Sequence, residues 1–454
     1  MGLTFDYTCL LRGGPQGELG VDPAVLERAE GQHAARLAAV RDRGFVRLPD
    51  DTAMLAECRA FADARRGQFE NLVVLGIGGS ALGTQALHAA LSPPLNNILP
   101  NHSRPRLFVV DNVDPVLVGG ILCAVNPATT LFNVISKSGS TAETMSQFLL
   151  FLENLKTVLG NAWREHIVVT TDASKGFLRR FAEDEDIPAF TIPDDVGGRF
   201  SVLTPVGMLP GAVLGWDLDG LMAGAAAGRK ASLSADFDRN PAALFASVHH
   251  ALDTLCKLPV QVQFPYSHQL RLLVDWYVQL CAESLGKLDA EGRPVGPTPH
   301  KAVGATDQHS QVQLFAQGPA DKSFTFLRVL HHADDIVIPN PPKQLAELSY
   351  LSGKTFGQLL DAECRATFLA LVEAGRPCGM ITFPAVSAGS VGEYLMMMEL
   401  AVAYAGELYG IDAFDQPGVE AGKLATYGLM GRAGFEAEGQ RVRSRKLSDP
   451  DRVV

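Results

Sequence analysis

Residues 71–91 contain a short apolar segment, a glycine turn and a helical pattern in immediate succession. The apolar segment, residues 72–77, is rich in β-branched side chains and predicts a buried strand. Gly-Gly-Ser follows at 78–80, and residues 81–91 have the apolar spacing of a helix. A strand that turns directly into a helix brings unpaired backbone N–H groups to one point, which favours an anion. The turn has neither the lysine of a P-loop nor the glycine spacing of a dinucleotide site, so an ordinary strand-to-helix turn is the alternative.

Strand and helix patterns alternate through the rest of the chain. Strand patterns occur at the following positions: 106–110, 131–135, 167–170, 189–192, 260–264, 324–330 and 379–383. Helical patterns occur between them: 116–125, 141–159, 241–258, 268–285, 344–374 and 391–409. This alternation predicts an α/β protein with mainly parallel sheets, built as two doubly wound units in tandem with flanking helices.

The same patterns predict the organisation of the chain. We expect five segments in this order: a helical accessory segment at 1–69, a first unit at 70–215, a small-residue junction at 216–240, a second unit at 241–435 and a polar tail at 436–454, either mobile or an arm on a partner subunit. A length of 454 residues is sufficient for two or three domains with full cores.

Composition excludes several classes of partner. A net charge of −11 argues against nucleic acid, although a few local donors can still bind a small anion. The seven cysteines are scattered and form no CxxC pair, which indicates reduced thiols in a cytoplasmic protein. The start of the chain lacks a signal-peptide pattern, and no apolar run reaches membrane-spanning length.

A second turn, at residues 136–141, is crowded with hydroxyl groups. It reads Ser136, Lys137, Ser138, Gly139, Ser140 and Thr141, and it connects a predicted strand to a predicted helix. Short hydroxyl side chains beside outward-pointing amides suit a tetrahedral oxyanion. Helix capping is the alternative, but capping accounts for one or two of these side chains only. Because ligands collect at the carboxyl ends of parallel strands, both turns are expected to close on one phosphate.

Two charged residues are candidates for chemistry. Arg199 follows Gly197 and Gly198 just after a strand, and its permanent charge can stabilise a developing oxyanion. A surface arginine is the alternative. Glu283 ends a helical pattern that is apolar almost all round, so burial and the helix dipole are both expected to raise its pKa towards that of a general base. Gln279 lies one turn earlier on the same face. The alternative for Glu283 is escape to solvent at a frayed helix end.

Proton-transfer candidates occur later in the chain. Residues 292–311 read as a long structureless loop with two histidines, His300 and His309, between which spacing does not choose. Lys423 follows a glycine-containing turn and is a candidate acid, with a solvated lysine as the alternative. The adjacent histidine pairs lack partners at ligand spacing, so no metal site is expected.

Taken together, these stretches resemble the phosphoglucose isomerase family. The matching motifs stand in the family's order over most of the chain: LGIGGSALG (75–83), ISKSGSTAET (135–144), GGRFSVLTPVGMLP (197–210), ESLGK (283–287), GATDQHSQVQL (304–314) and QPGVEAGK (416–423). The resemblance implies two sugar-isomerase (SIS) domains and reversible interconversion of glucose 6-phosphate and fructose 6-phosphate through a cis-enediol. It implies no metal, nucleotide or other cofactor.

The resemblance also implies residue roles. Glu283 matches the base, Arg199 the charge stabiliser, and His309 the ring-opening acid/base assisted by Lys423, which decides against His300. The residues matching sugar-phosphate contacts are Gly79, Ser80, Ser136, Lys137, Ser138, Thr141, Gln279 and Gln416, with Gly79 and Lys137 contributing backbone. Family members are usually homodimers, so His309 is expected to serve the neighbouring subunit's site. The chain departs from many relatives at 138–140, where Ser-Gly-Ser replaces Thr-Phe-Thr.

Two rival functions share these motifs. A non-catalytic sugar-phosphate sensor would keep the hydroxyl turn but would not need Glu283, Arg199, His309 and Lys423, all four of which are present. An isomerase of mannose or aminosugar phosphates would use similar loops.

Overall fold

The structure is a computed structural model that describes residues 2–14, 17–99, 104–445, 448 and 452. Within these residues there are twelve strands: β1 (Thr4–Asp6), β2 (Asn71–Leu75), β3 (Arg106–Val110), β4 (Thr130–Ser136), β5 (Ile167–Thr171), β6 (Ala189–Thr191), β7 (Val260–Pro265), β8 (Lys287–Leu288), β9 (Pro294–Val295), β10 (Thr298–Lys301), β11 (Lys322–His331) and β12 (Cys378–Ala385).

Eighteen α-helices accompany the strands in the same described ranges. They are α1 (Pro23–Glu30), α2 (His33–Val40), α3 (Gly44–Arg47), α4 (Thr52–Ala64), α5 (Leu82–Leu91), α6 (Pro115–Ala124), α7 (Ala142–Leu159), α8 (Phe177–Asp184), α9 (Pro205–Leu214), α10 (Leu218–Ser232), α11 (Pro241–Thr254), α12 (Arg271–Leu285), α13 (Thr306–Ser310), α14 (Val312–Gln317), α15 (Phe356–Glu373), α16 (Ala388–Tyr409), α17 (Glu420–Leu429) and α18 (Glu436–Ser444).

The first sheet has the strand order β3-β2-β4-β5-β6 and is parallel throughout. Every residue of β2 and β4 is buried, as expected for strands with helices on both faces. Strand β3 lies on one side of β2 and β4 lies on the other, so the strand order reverses between β2 and β4. This is a topological switch point, where ligands bind in open α/β sheets. The two turns predicted to hold an anion therefore follow two neighbouring strands.

The second sheet has the order β1-β12-β11-β7-β10. Its four later strands are parallel, and only β1 runs antiparallel, beside β12. The prediction of two mainly parallel α/β sheets is confirmed. The N-terminal segment predicted to be helical also contains β1, an edge strand of the second sheet.

The small-residue stretch 216–240, predicted as a junction, is largely the helix α10, which packs closely on α16; a Cβ at Gly224 would overlap the carbonyl oxygen of Gly389. The prediction of a long structureless loop at 292–311 was wrong, since this stretch contains β9, β10 and α13. The polar tail contains α18, which packs on α17 where Gly428 meets Gly439. Residues 446–447, 449–451, 453 and 454 of that tail lie outside the described residues.

The helix that joins the two sheets is α12. It packs against α5 from the first sheet and α16 from the second, and most of its apolar side chains are buried. The two helices α5 and α12 run antiparallel, since Gln269 donates to the carbonyl of Ala90 while Gln279 lies beside Gly78. The C-terminal end of α12 consequently lies at the carboxyl edge of the first sheet.

Candidate active site

Three turns lie at the carboxyl edge of the first sheet. They are Gly78–Ser80 after β2, residues 136–141 after β4, and the short 3₁₀ turn Gly198–Phe200. A Cβ at Gly79 would overlap the carbonyl oxygen of Gly198, so only glycine permits this backbone approach. Gly78 has φ of +58°, and a Cβ there would lie 2.9 Å from the Nε2 atom of Gln279. The turn Gly78–Ser80 therefore lies between α12, which carries Gln279, and the turn Gly198–Phe200.

The hydroxyl groups of the second turn bond to one another. Ser136 Oγ and Thr141 Oγ1 are 3.1 Å apart, and Ser138 Oγ is 3.3 Å from the same Thr141 oxygen. Thr141 is the N-cap of α7, yet its side chain makes no capping hydrogen bond. Helix capping therefore does not explain Thr141. The hydroxyls instead cluster beside the uncapped start of a long helix, where an anion is favoured.

Arg199 is buried rather than exposed, with 2% of its side chain accessible. Its Nε donates to Ser284 Oγ at 2.7 Å, and Nη1 donates to Gln416 Oε1 at 3.0 Å. The remaining nitrogen, Nη2, donates to the carbonyl oxygens of Ala413 at 2.6 Å and Asp415 at 2.9 Å. Burial lowers the pKa of the guanidinium, and Glu283 acts in the opposite direction. The alternative of a surface arginine is wrong.

Glu283 projects from the last turn of α12 towards this guanidinium. Its Oε2 is 3.5 Å from Arg199 Nη1, and its Oε1 accepts a 2.7 Å hydrogen bond from Gln279 Nε2. The side chain is 32% exposed, so the expectation of a buried carboxylate was wrong. The carboxylate instead lines an open cleft while a fixed positive charge lies beside it. Such an arrangement can exchange a proton with a bound molecule and offset charge on it.

The cleft beside Glu283 has a volume of about 740 Å³. Glu283, Lys287 and Gln416 contribute its polar groups, and the side chains of Leu288, Val295 and Val419 contribute apolar walls. The volume is in the range of small-molecule sites. The hydroxyl turn does not line this cleft. It follows β4, the strand beside β2, and the turn after β2 packs against Gly198.

Lys287 was not among the predicted site residues. Its side chain is 7% exposed, and its Nζ contacts the carbonyl oxygens of Asp412 and Asp415 and the Asp415 carboxylate. It therefore fixes the loop that carries Gln416 against the end of α12. A lysine just after a helix end is ordinary in sequence, since it complements the helix dipole, and nothing in the spacing distinguishes this one.

Neither candidate histidine reaches Glu283 within the subunit. His300 lies in β10 and contacts Gln311. His309 is exposed on α13, next to Gln308, which accepts a hydrogen bond from Tyr266 at the end of β7. The helix α12 begins near that end and Glu283 is twelve residues along it, about 18 Å at 1.5 Å per residue. His309 and Glu283 therefore lie at opposite ends of α12.

The remaining candidates lie around the cleft and the first turn. Ser80 is half-buried at the turn after β2. Lys423 is exposed on α17, and its ammonium group has no hydrogen-bond or ion-pair partner in the described part of the chain. In that same part, no group of three or more His, Cys, Asp or Glu side chains could hold a metal ion, and no helix is both long and apolar enough to cross a membrane.

A hydroxyl-rich turn and a glycine turn follow neighbouring strands at a switch point, and Gly79 packs the glycine turn against the turn that carries Arg199, the partner of Glu283. This combination defines a protein of the phosphosugar isomerase class. A sequence profile described as phosphoglucose isomerase matches residues 57–430. The chain belongs to the phosphoglucose isomerase family.

Individual relatives agree with this assignment. The chain is 44% identical to a glucose-6-phosphate isomerase of Rubrobacter xylanophilus, covering 96% of this chain and 99% of the relative. It is 46% identical to the enzyme of the same name from Carboxydothermus hydrogenoformans, covering 88% and 87%. The crystal structure of a glucose-6-phosphate isomerase from Chlamydia trachomatis is similar with a TM-score of 0.80 at 25% identity, covering 97% of this chain and 91% of that one.

Proposed function

We propose that the cleft at the end of α12 is the active site of an aldose–ketose isomerase that interconverts glucose 6-phosphate and fructose 6-phosphate. Membership of the family supports this reaction, which belongs to glycolysis and gluconeogenesis. The observation that carries the proposal is the pairing of Glu283 with Arg199 at 3.5 Å, in which Arg199 belongs to a turn that packs against Gly79. A receptor without catalytic activity would not need this pair.

In the proposed reaction Glu283 acts as the base. Its carboxylate takes the proton from C2 of the open-chain aldose while the oxygen on C1 gains a proton, which gives a cis-enediol. The proton then returns to C1 as the C2 hydroxyl loses its own, which gives the ketose. Arg199 lies beside Glu283 and offsets negative charge on the enediol oxygens. These steps need a base and a fixed charge, and they involve no cofactor.

The phosphate is proposed to lie at the three turns. The hydroxyls of Ser80, Ser136, Ser138 and Thr141 and the backbone N–H groups of Gly79 and Lys137 would donate to its oxygens. Gln279 and Gln416 would contact the sugar from either side of the carboxylate–guanidinium pair, since each already bonds one member of it. A double variant, Ser136→Ala with Thr141→Val, should mainly raise KM. Unchanged substrate affinity would contradict the phosphate cradle.

Ring opening is proposed to use a histidine from a second subunit. His309 lies near the start of α12 and its own Glu283 near the end, so His309 would act in trans across a homodimer, assisted by Lys423. Its exposure leaves it available to a partner. We also propose a cytoplasmic location, in keeping with the seven cysteines, all of which are free.

The base assignment is tested with Glu283→Gln. A coupled assay with fructose 6-phosphate and proton exchange at C2 should both fall by about 10²-fold or more, since a positioned base is lost. Substrate binding, measured by calorimetry, should persist. The control is Glu291→Gln, a substitution at an exposed glutamate paired with Arg293, which should leave turnover unchanged. Near-normal exchange in Glu283→Gln would reject Glu283 as the base.

The role of His309 in trans is tested with hybrid dimers. Glu283→Gln chains are paired with His309→Ala chains. If His309 acts in trans, one site of each hybrid carries both defects and the other carries none, so mixing two inactive proteins should restore about half the wild-type activity per hybrid. Action within one subunit predicts that the hybrids stay inactive, because each site would then carry one defect.

A further inference from the structure

The side chain of Lys137 points away from the anion-binding turn in which it lies. Its Nζ donates to the carbonyl oxygens of Pro193 at 3.2 Å, Asp194 at 2.9 Å and Val196 at 2.8 Å. A lysine ammonium has three N–H donors, and here each of them has a carbonyl acceptor. The ammonium group is therefore not available as a donor to a phosphate held by the hydroxyls of the same turn.

The segment that Lys137 holds leads directly into Arg199. Val196, the last of the three acceptors, precedes Gly197, and the 3₁₀ turn Gly198–Phe200 follows. Val196 also closes a tight turn by donating its own N–H to the carbonyl of Pro193. Three hydrogen bonds from one ammonium group thus fix both ends of the turn at 193–196, which ends three residues before Arg199.

The contacts continue from Arg199 to the base. Arg199 binds the loop at 413–416 through three of its hydrogen bonds and lies 3.5 Å from Glu283. Displacement of its backbone would move the guanidinium relative to the carboxylate. Because both groups act on the same bound molecule, a shift of about 1 Å can cost about 10²-fold in rate.

We infer that Lys137 is a positioning residue whose ammonium group ties the phosphate-binding turn to the segment carrying Arg199, so that the placement of the phosphate also sets the placement of the charge beside Glu283. The inference rests on the proposed function for the identity of the anion. It assigns to the side chain a role separate from the backbone contact proposed for the same residue.

Other groups also face this segment. Burial lowers the pKa of the Lys137 ammonium, Asp194, Asp172 and Asp195 oppose this change, and Lys175 adds to it. From the opposite side Arg47 pairs with Asp195, and Gly44 packs against the same aspartate. If these contacts were sufficient to fix the segment, removal of the lysine side chain would have no effect on it.

The test compares Lys137→Met with Lys137→Arg and with a matched control, Lys175→Met. Lys175 lies on the adjacent turn and carries the same charge, but its ammonium makes no hydrogen bond to any described residue. For each variant we would measure kcat and KM, the inhibition constant of a hexitol 6-phosphate that cannot isomerise, and amide hydrogen exchange of the peptide covering residues 193–204. Lys137→Gln, which keeps two donors, replaces the Met variant if that protein does not fold.

We expect Lys137→Met to lower kcat by about ten- to a hundredfold, to leave the inhibition constant nearly unchanged and to speed exchange in residues 193–204. Lys137→Arg should recover part of the rate, because its guanidinium can donate to the same carbonyls. A raised inhibition constant with unchanged kcat would show that the ammonium serves the phosphate, and would overturn the inference. Equal effects in Lys175→Met would assign the result to lost charge and would also overturn it.

The two proposals fail in distinguishable ways. An inactive wild-type protein would contradict the proposed function, whereas the exchange measurement would still decide whether Lys137 fixes residues 193–204. An active wild type, together with unchanged kcat and unchanged exchange in Lys137→Met, would reject the positioning role alone.

Discussion

Glu399, in the middle of α16, is a fully buried acid with no partner. None of its side chain is exposed, and neither carboxyl oxygen accepts a hydrogen bond from any described residue. Burial raises its pKa well above 4.5, so the native state holds the proton. An unsatisfied buried polar group costs about 1–3 kcal/mol. We therefore predict that Glu399→Met, which replaces the carboxyl with an apolar group of similar length, stabilises the protein.

The size of the stabilisation should depend on pH. Because the folded-state pKa is raised, the stability of the wild type is full below the unfolded-state pKa and is lost as pH rises towards the folded-state value. Over that interval the unfolded chain has released a proton that the native state keeps, which costs about 1.4 kcal/mol per pH unit. The advantage of Glu399→Met should consequently grow by up to about 2.7 kcal/mol between pH 5.5 and pH 7.5.

Thermal or urea unfolding of wild type and variant at both pH values measures this difference. With about 2.1 cal/mol/K per residue and 454 residues, 1 kcal/mol corresponds to roughly 1 °C in Tm, so shifts of a few degrees are expected. Glu407→Met is the control, because Glu407 is exposed on the same helix and should show neither stabilisation nor pH dependence. A Glu399→Met protein that is less stable at both pH values, or whose advantage is the same at both, would refute the reasoning.

Two further predictions concern one glycine and one histidine. Gly79→Ala should abolish most activity, because the new Cβ would overlap the carbonyl oxygen of Gly198 and separate the two turns. In the control, Gly119→Ala, the Cβ has free space in a helix, so this variant should be stabilised by up to about 1 kcal/mol. A normal kcat/KM for Gly79→Ala would contradict the prediction. Burial lowers the pKa of His249 to about 3 in the folded state, whereas the unfolded-state pKa is near 6.5. The folded protein should therefore lose about 1.4 kcal/mol of stability per pH unit as pH falls below about 6.5. Urea unfolding between pH 5 and pH 7 should show a shallower loss for His249→Phe than for wild type.

The central parallel strands could be predicted from sequence because burial on both faces leaves a continuous apolar run. Both β2 and β4 are such runs, and each ends within two residues of its predicted end. The adjacency of their turns follows from switch-point geometry, which requires only the order of strands. For that reason the proposed phosphate-binding turns could be predicted from the sequence alone.

Elements stabilised by distant partners could not be predicted in this way. The strand β1 has three residues, none of them buried, and exists through its pairing with β12 at the other end of the chain. The strand β10 contains Pro299, which reads as a loop but is tolerated at a sheet edge. Glycines in α10 lower its helix propensity, yet they allow the close contact with α16 that stabilises it.

In the candidate site too, the local sequence predicts some properties of a side chain, while distant partners decide others. Residue type and position identified Arg199 as a possible charge stabiliser, but its local sequence equally favoured a surface arginine. What decides between them is that all four of its hydrogen bonds go to residues from 284 onwards, in the second unit, although its backbone belongs to the turn after the first sheet. The charge beside Glu283 is therefore fixed only when α12 is packed on α5. Proton transfer at this cleft would accordingly require both units in contact.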